Sequence, residues 1–175
     1  MESAEPIRAW HDLYVMLGTS SAALIGLIFV AASLHLGDVV SNPAFRIRAY
    51  HVTLYLLTLL VEAVLVLVPQ PVPVLGAQLF ALNLVGLCVP LTTAYRYYYE
   101  DRVASHRAGM RTARAITYGV AYLIGISGAI TLFESSHWGM YLVTASYTLL
   151  LVTVVLGAWA VALGVGETER AEKGK

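Results

Sequence analysis

Five long apolar stretches separated by short polar segments set the hydrophobic pattern of this 175-residue chain. A transmembrane helix needs about 20 mostly apolar residues, because each residue adds about 1.5 Å toward a hydrocarbon layer about 30 Å thick. Every one of the five stretches is close to that length. The pattern therefore predicts an all-α integral membrane bundle of five transmembrane helices, forming one domain over residues 1–175. The spans are expected at about 13–36, 49–68, 74–95, 115–133 and 140–165.

The composition favours lipid, and not water, around these helices. Hydrophobic residues make up 58% and charged residues 13% of the chain, whereas an ordinary soluble domain is about 25% charged. Mean hydropathy is +0.71. The single cysteine, Cys88, lies inside an apolar stretch, so a disulfide framework and a cysteine-based metal site are excluded. We expect Cys88 to be a small buried hydrophobe.

The basic residues are distributed very unevenly between the two sides that a five-span chain would have. The N-terminus and the second and fourth connectors share one side and hold a single basic residue, Arg8. The other side holds ten, which are Arg46, Arg48, Arg96, Arg102, Arg107, Arg111, Arg114, Arg170, Lys173 and Lys175. Because Lys and Arg concentrate in cytoplasmic loops, the split predicts the N-terminus outside and the C-terminus in the cytoplasm. The charged tail after Gly166 is expected to be frayed.

The third connector is rich in arginine, and its charge has two possible uses. The arginines are Arg102, Arg107, Arg111 and Arg114. Cytoplasmic placement already accounts for them, so a nucleic-acid site is not expected. Each basic residue near the surface attracts anionic lipid by roughly 1 kcal/mol at most. The lipid bilayer, with anionic lipid at these four positions, is therefore the expected partner.

The second apolar stretch carries a carboxylate, Glu62, with no cation next to it in sequence. At about 100° per residue, His51, Tyr55, Thr58 and Glu62 fall within an arc of about 60° and form one polar stripe. An ionised side chain at the centre of a membrane helix costs roughly 2.5–3.5 kcal/mol, and such residues usually face a bundle interior or a wet cavity. The stripe is therefore the strongest candidate for an ion or proton pathway, although His51, Tyr55 and Thr58 are also compatible with ordinary bundle packing.

The other spans carry polar side chains at a similar distance from the predicted outer face. These are Ser20, Ser21, Asn83, Ser127 and Ser146. If they converge, they build a polar chamber around Glu62. The alternative is that they only bond to neighbouring helices or to their own backbone carbonyls, which is common in membrane bundles. Asn83, Ser127 and Ser146 are the candidates that we add to the pathway.

Small residues mark candidate packing faces. Gly18, Ala22 and Gly26 recur every fourth residue on the first span, and Gly157 lies on a similar face of the fifth. Small residues let helix backbones approach closely. Five helices can bury only some of these faces, so we expect the rest to form a symmetric homo-oligomer.

The beginning of the chain resembles a known group. Its pattern is Trp10-His11-Asp12 and Tyr14, followed by Gly18, Ala22, Gly26-Leu27, Phe29-Val30-Ala31 and Ser33-Leu34. This pattern is similar to the opening of an uncharacterised group of short bacterial multi-span membrane proteins. The resemblance, mainly in residues 10–34, implies a multi-pass protein of the bacterial cytoplasmic membrane. It supplies no catalytic residue, substrate or cofactor.

The sequence is compatible with two functions. The first is an oligomeric ion- or proton-conducting protein built around Glu62, and the second is a non-catalytic accessory subunit that docks a partner through small-residue faces. No phosphate loop, HExxH motif or catalytic carboxylate pair is present, so an enzyme is not expected. The histidines allow two imagined haem pairs, His11 with His137 and His35 with His51. They lie at span ends, where histidine is ordinarily solvated, so no cofactor or metal is predicted.

Overall fold

The structure, a computed structural model, describes residues 10–34, 43–100, 107–134, 136 and 138–173. It contains five α-helices in this part of the chain. They are α1 (His11–Leu34), α2 (Pro43–Leu67), α3 (Val72–Glu100), α4 (Arg107–Phe133) and α5 (Trp138–Lys173). All five are long and apolar enough to cross a membrane. The prediction of an all-helical fold with five such helices is confirmed.

The helix ends follow local backbone chemistry. Pro69 and Pro71 lie between α2 and α3, where a proline cannot continue a helix because it lacks an N–H group. Pro73 is tolerated in the first turn of α3 for the same reason, since the N–H groups there have no helical partner. Pro90 lies inside α3, which nevertheless runs through it as one helix. Helix α5 continues to Lys173, through most of the tail after Gly166.

Side-chain contacts fix the directions of the helices. Trp10 meets Tyr141 and Ser21 meets Tyr147, so α1 and α5 run in parallel. Helices α4 and α5 are antiparallel, because Ser146 meets Ala121 whereas Gly139 meets Leu132. Helices α3 and α4 are antiparallel too, because Gly76 meets Phe133 whereas Gly86 meets Tyr122. Helices α2 and α4 are parallel, because Tyr55 stacks on Tyr118 and Thr58, three residues later, lies beside Tyr122. We name the two ends of the bundle the Trp138 end and the Arg114 end.

Helix α2 packs against three of the other four helices. Helix α1 packs on α2, α2 also contacts α3 and α5, and α4 lies against both α3 and α5. Leu56, Leu59, Leu79 and Leu150 are among the buried side chains where these helices meet. The outside is apolar as well, as shown by Phe29, which is 74% exposed. Cys88 is exposed and not buried as expected, and its thiol lies 3.6 Å from the carbonyl oxygen of Leu84.

Candidate functional site

Glu62 lies in the middle of the bundle and is completely buried. Its neighbours along α2, Leu59, Ala63 and Val66, are buried apolar residues. Among the residues that the structure describes, neither carboxylate oxygen of Glu62 has a hydrogen-bond partner. Burying an ionised carboxylate without a partner is strongly unfavourable. The position therefore demands either a proton or a bound cation on the carboxylate.

Three tyrosines from three other helices surround this carboxylate. Tyr14 of α1, Tyr122 of α4 and Tyr147 of α5 are each close enough for the charge of Glu62 to act on their phenol groups. All three side chains are fully buried. A phenol hydroxyl both donates and accepts a hydrogen bond. Glu62 thus lies near three phenol groups, none of which is within hydrogen-bonding distance of its carboxylate.

Further tyrosines extend this group toward the Arg114 end. The ring of Tyr55 stacks on Tyr118 with centroids 4.1 Å apart, and its centroid lies 6.3 Å from that of Tyr122. The hydroxyl of Tyr118 donates a long bond of 3.4 Å to the carbonyl oxygen of Thr153. Arg114, one turn before Tyr118, is exposed. Phenol groups therefore continue from Glu62 almost to the surface at this end.

On α1 and α5, hydroxyl pairs hold the remaining two tyrosines. Tyr147 and Ser21 have their hydroxyl oxygens 2.9 Å apart. The hydroxyls of Tyr14 and Thr144 are 3.1 Å apart, and the rings of Tyr14 and Tyr147 meet edge to face with centroids 6.0 Å apart. We call the five residues Tyr14, Tyr147, Tyr122, Tyr55 and Tyr118 the tyrosine column. The column runs through the interior with Glu62 between its two ends.

The predicted stripe on α2 does face this interior. Tyr55 and Glu62 are buried, and His51 and Thr58 are half-buried. Thr58 donates to the carbonyl oxygen of Leu54 at 2.9 Å, and its hydroxyl is also close to the phenol of Tyr122. The ring of His51 lies nearest to Tyr50 among the aromatic contacts of the described residues, with centroids 6.2 Å apart.

Asn83 and Ser146 come together in a second polar group beside Gly125. A β-carbon on Gly125 would lie 2.8 Å from Oγ of Ser146 and 2.9 Å from Cγ of Asn83, so this contact requires glycine. Ser146 donates to the carbonyl oxygen of Ala121 at 2.7 Å. Asn83 donates to the carbonyl oxygen of Leu79 at 2.9 Å, whereas its Oδ1 atom has no hydrogen-bond partner within the described part of the chain.

Several other candidates lie elsewhere. Ser127 is exposed on α4 and donates to the carbonyl oxygen of Ile124 at 2.7 Å. Ser20 bonds in the same way to Met16. Neither belongs to the group around Glu62, so the structure brings together only part of the expected chamber.

The candidate packing residues divide between inside and outside. Gly18 is buried, and a β-carbon there would lie 3.1 Å from that of Ala63. Gly157 is also buried, where a β-carbon would lie 3.4 Å from the Tyr118 hydroxyl. Ala22 and Gly26 are exposed, and in the described region nothing lies within 4 Å of a β-carbon built on Gly26. The small-residue face of α1 is therefore packed against α2 at Gly18 and exposed at Ala22 and Gly26.

The tyrosines Tyr14, Tyr118, Tyr122 and Tyr147 were missed as site residues in the sequence. Tyrosine in membrane helices is typical of the two interfaces with water. Tyr122 and Tyr147 instead lie eight or more residues inside their apolar stretches, and that depth is the signal that could have found them.

The structure describes only some of the histidines considered for haem and of the arginines expected at anionic lipid. His11 is exposed, and its Nδ1 atom lies 3.2 Å from Oδ1 of Asp12. His35 and His137 lie outside the described residues, as do Arg102 and the side chains of Arg107 and Arg111. Within the described ranges, no three or more His, Cys, Asp or Glu side chains cluster as metal ligands would.

Comparison with known proteins adds no functional assignment. No protein-family model, curated protein or solved structure matches the chain. The proposed function therefore rests on Glu62 and its surroundings.

Proposed function

We propose that this chain is a multi-pass integral membrane protein that moves protons or small cations across the bilayer through Glu62. The observation that carries the proposal is the complete burial of a carboxylate that has no hydrogen-bond partner among the described residues and lies within a column of phenol groups. Intramembrane carboxylates commonly mark ion pathways and proton relays. A carboxylate that served only packing would be a costly choice, since a leucine fills similar space without a charge to bury.

The proposal includes a membrane and an orientation. The apolar outer surface of the five helices suits lipid contact, and the ten-to-one division of basic residues favours the Arg114 end in the cytoplasm. The resemblance of residues 10–34 favours the bacterial cytoplasmic membrane. Anionic lipid is the proposed partner of the arginine-rich connector, in which Arg114 is exposed.

The test is ion flux into liposomes that contain only this protein. Wild type is compared with Glu62→Gln, which keeps size and hydrogen bonding but removes the ionisable group, and with Glu62→Asp, which keeps a carboxylate about one methylene shorter. Flux should be lost in the Gln variant and partly retained in the Asp variant. Leu60→Met, a conservative change at a half-buried position two residues before Glu62, serves as the matched control and should conduct as wild type. Undiminished flux in Glu62→Gln would refute the proposal.

The open face of α1 favours a second candidate function. Ala22 and Gly26 are exposed beside Phe29 and Leu34, which are 74% and 76% exposed. Small residues next to large apolar ones are typical of helix interfaces in lipid. The accessory-subunit alternative uses this face to dock a membrane partner, and the homo-oligomer uses it to join copies of the chain.

Substitution of the open face separates these possibilities. Gly26→Ile adds bulk where the described protomer has space, so the fold of the monomer should be kept. Loss of the oligomer in native mass spectrometry would support self-association through α1. Inert liposomes from wild type, together with a co-purifying membrane protein that Gly26→Ile releases, would support the accessory role instead.

A further inference from the structure

The hydroxyl of Tyr122 is a buried polar group whose position the hydrogen bonds of the fold do not explain. The side chain is completely buried, yet its hydroxyl has no hydrogen-bond partner among the described residues. Leaving a buried hydroxyl unpaired costs about 1–3 kcal/mol. A phenylalanine would fill the same space without that penalty, so the hydroxyl needs a reason other than packing.

The surroundings of Tyr122 place this hydroxyl between two parts of the column. On one side, its ring centroid is 6.3 Å from that of Tyr55, which stacks on Tyr118 toward the Arg114 end. On the other side, it is close enough to Glu62 and to the hydroxyl of Thr58 for both to act on its phenol. Tyr122 is thus the member of the column that faces both Glu62 and the stacked pair.

Helix α3 is shaped to hold the ring in this place. A β-carbon on Gly86 would lie 2.6 Å from Cζ and 2.9 Å from the hydroxyl oxygen of Tyr122, so only glycine allows the ring to reach so far. Pro90, four residues later, has no N–H group to donate to the carbonyl of Gly86. The same turn of α3 therefore offers both the space for the ring and a carbonyl that lacks its usual helical donor.

We propose that the Tyr122 hydroxyl relays protons between the Arg114 end of the column and Glu62, and that the proton is the ion that the column carries. This inference rests on the proposed function of Glu62. The Tyr122 hydroxyl and the Glu62 carboxylate are not within hydrogen-bonding distance of each other, so one water molecule between them takes part. In each transfer, the O–H bond of Tyr122 breaks as its proton joins this water molecule, which gives one of its own protons to the Glu62 carboxylate. At the same time the phenol oxygen takes up one proton from a water molecule on the Arg114 side, and that water molecule regains its proton from the solution at this end. The phenol is left neutral, and one proton has moved to Glu62.

The stacked pair argues against a path for hydrated metal cations on this side. Tyr55 and Tyr118 lie with their planes 16° apart and their centroids 4.1 Å apart, which is close to van der Waals contact. A hydrated cation does not fit between rings at that distance. Protons need no such opening, because they pass between neighbouring hydroxyl groups and water molecules by exchange of O–H bonds.

The experiment follows protonation of Glu62 from each side separately. The protein is reconstituted in one orientation in liposomes, and the infrared absorption of the protonated carboxyl group is recorded after a pH jump on one side. Glu62→Gln identifies the band, because the variant lacks it. In wild type the band should respond to jumps on both sides. In Tyr122→Phe the response to a jump on the Arg114 side should slow by roughly 100-fold, whereas the response from the Trp138 side should be unchanged.

Two further variants complete the design. Tyr141→Phe removes a hydroxyl from an exposed ring at the Trp138 end and should respond as wild type on both sides. Gly86→Ala pushes the ring of Tyr122 out of place while leaving its hydroxyl in the chain, and it should slow the Arg114-side response as well. Gly86→Ala also tests the relay if Tyr122→Phe does not fold.

The outcomes distinguish this inference from the function on which it rests. If Glu62→Gln loses flux but Tyr122→Phe and Gly86→Ala respond at wild-type rates from both sides, the relay is wrong and the role of Glu62 stands. If wild-type liposomes carry Na⁺ or K⁺ at a rate equal to that of protons, the assignment of the proton is wrong. If Glu62→Gln conducts as wild type, the proposed function itself fails.

Discussion

The aromatic rings of Tyr55 and Tyr118 lie face to face, with centroids 4.1 Å apart and planes 16° from parallel. Tyr55 comes from α2 and Tyr118 from α4, and only 5% and 8% of the two residues are exposed. The stack therefore joins two parallel helices that are not neighbours in sequence. It also closes the Arg114 end of the interior with aromatic surface.

Removing the ring of Tyr118 should cost more stability than removing only its hydroxyl. Aromatic pairs contribute about 0.5–1.5 kcal/mol beyond the area that they bury. We expect Tyr118→Leu to lower the free energy of unfolding in mixed micelles by about 1 kcal/mol or more. Tyr118→Phe keeps the ring and loses only the 3.4 Å bond to Thr153, so it should stay within about 0.5 kcal/mol of wild type. Equal losses in the two variants would contradict a role for stacking.

The contact of Gly125 with Asn83 and Ser146 predicts a strong response to a single methyl group. A β-carbon there would lie 2.8 Å from Oγ of Ser146, and overpacking of a tight core costs about 1–3 kcal/mol. Gly125→Ala should lower the free energy of unfolding by that amount. Gly119→Ala is the matched control on the same helix, because nothing in the described region lies within 4 Å of its β-carbon. It should be neutral or stabilising by up to about 1 kcal/mol.

The Ser21–Tyr147 contact links α1 to α5 and can be measured as a coupling energy. The two hydroxyl oxygens are 2.9 Å apart and buried. Hydrogen bonds between membrane helices average about 0.6 kcal/mol in double-mutant cycles. We expect a coupling of that size from Ser21→Ala, Tyr147→Phe and the double variant in an unfolding assay. A coupling near zero would mean that the two hydroxyls find equally good partners without each other.

The interior face of α2 could be predicted from the sequence, but its partners could not. Periodicity fixes which residues share a face of one helix, so it predicts that His51, Tyr55, Thr58 and Glu62 lie on one face, of which Tyr55 and Glu62 are buried. It does not say which helix lies opposite. Tyr14 and Tyr147 meet Glu62 because α1 and α5 pack on α2, and that packing order depends on all five helices at once.

Ser127 shows where an argument from depth alone fails. It lies at a suitable depth, but at about 100° per residue it is rotated by about 140° from Tyr122 on α4. The buried residues Tyr118, Ala121, Tyr122, Gly125 and Ala129 define the interior face of this helix. Ser127 is on the other side. Depth and rotation both have to agree before a polar residue is assigned to an interior site.

The proposed orientation predicts the labelling of single cysteines by a reagent that does not cross membranes. The natural Cys88 is first replaced by alanine, because its side chain is exposed on α3. Gln70→Cys, in the connector between α2 and α3, should then label from outside the cell. Ser105→Cys, in the arginine-rich connector, should label only after the membrane is opened, because basic connectors stay in the cytoplasm. Labelling of Ser105→Cys in intact cells would overturn the five-span orientation.

The last prediction separates function from packing at Glu62. Replacing a buried charged group with an apolar residue of similar volume is often neutral or stabilising by about 1–4 kcal/mol. Because no described residue bonds to its carboxylate, Glu62→Leu should raise the free energy of unfolding by about 1–3 kcal/mol. The same variant should lose all flux, because leucine cannot take up a proton or bind a cation. A gain in stability with a loss of function is the usual trade-off at a functional group. Asn83→Leu is the control. It removes one hydrogen bond to Leu79 together with an oxygen that has no partner in the described part of the chain, so its gain should be smaller. If Glu62→Leu instead unfolds more easily than wild type, the carboxylate is held by a partner that stabilises the fold, and its burial is no longer a reason to assign it to a pathway.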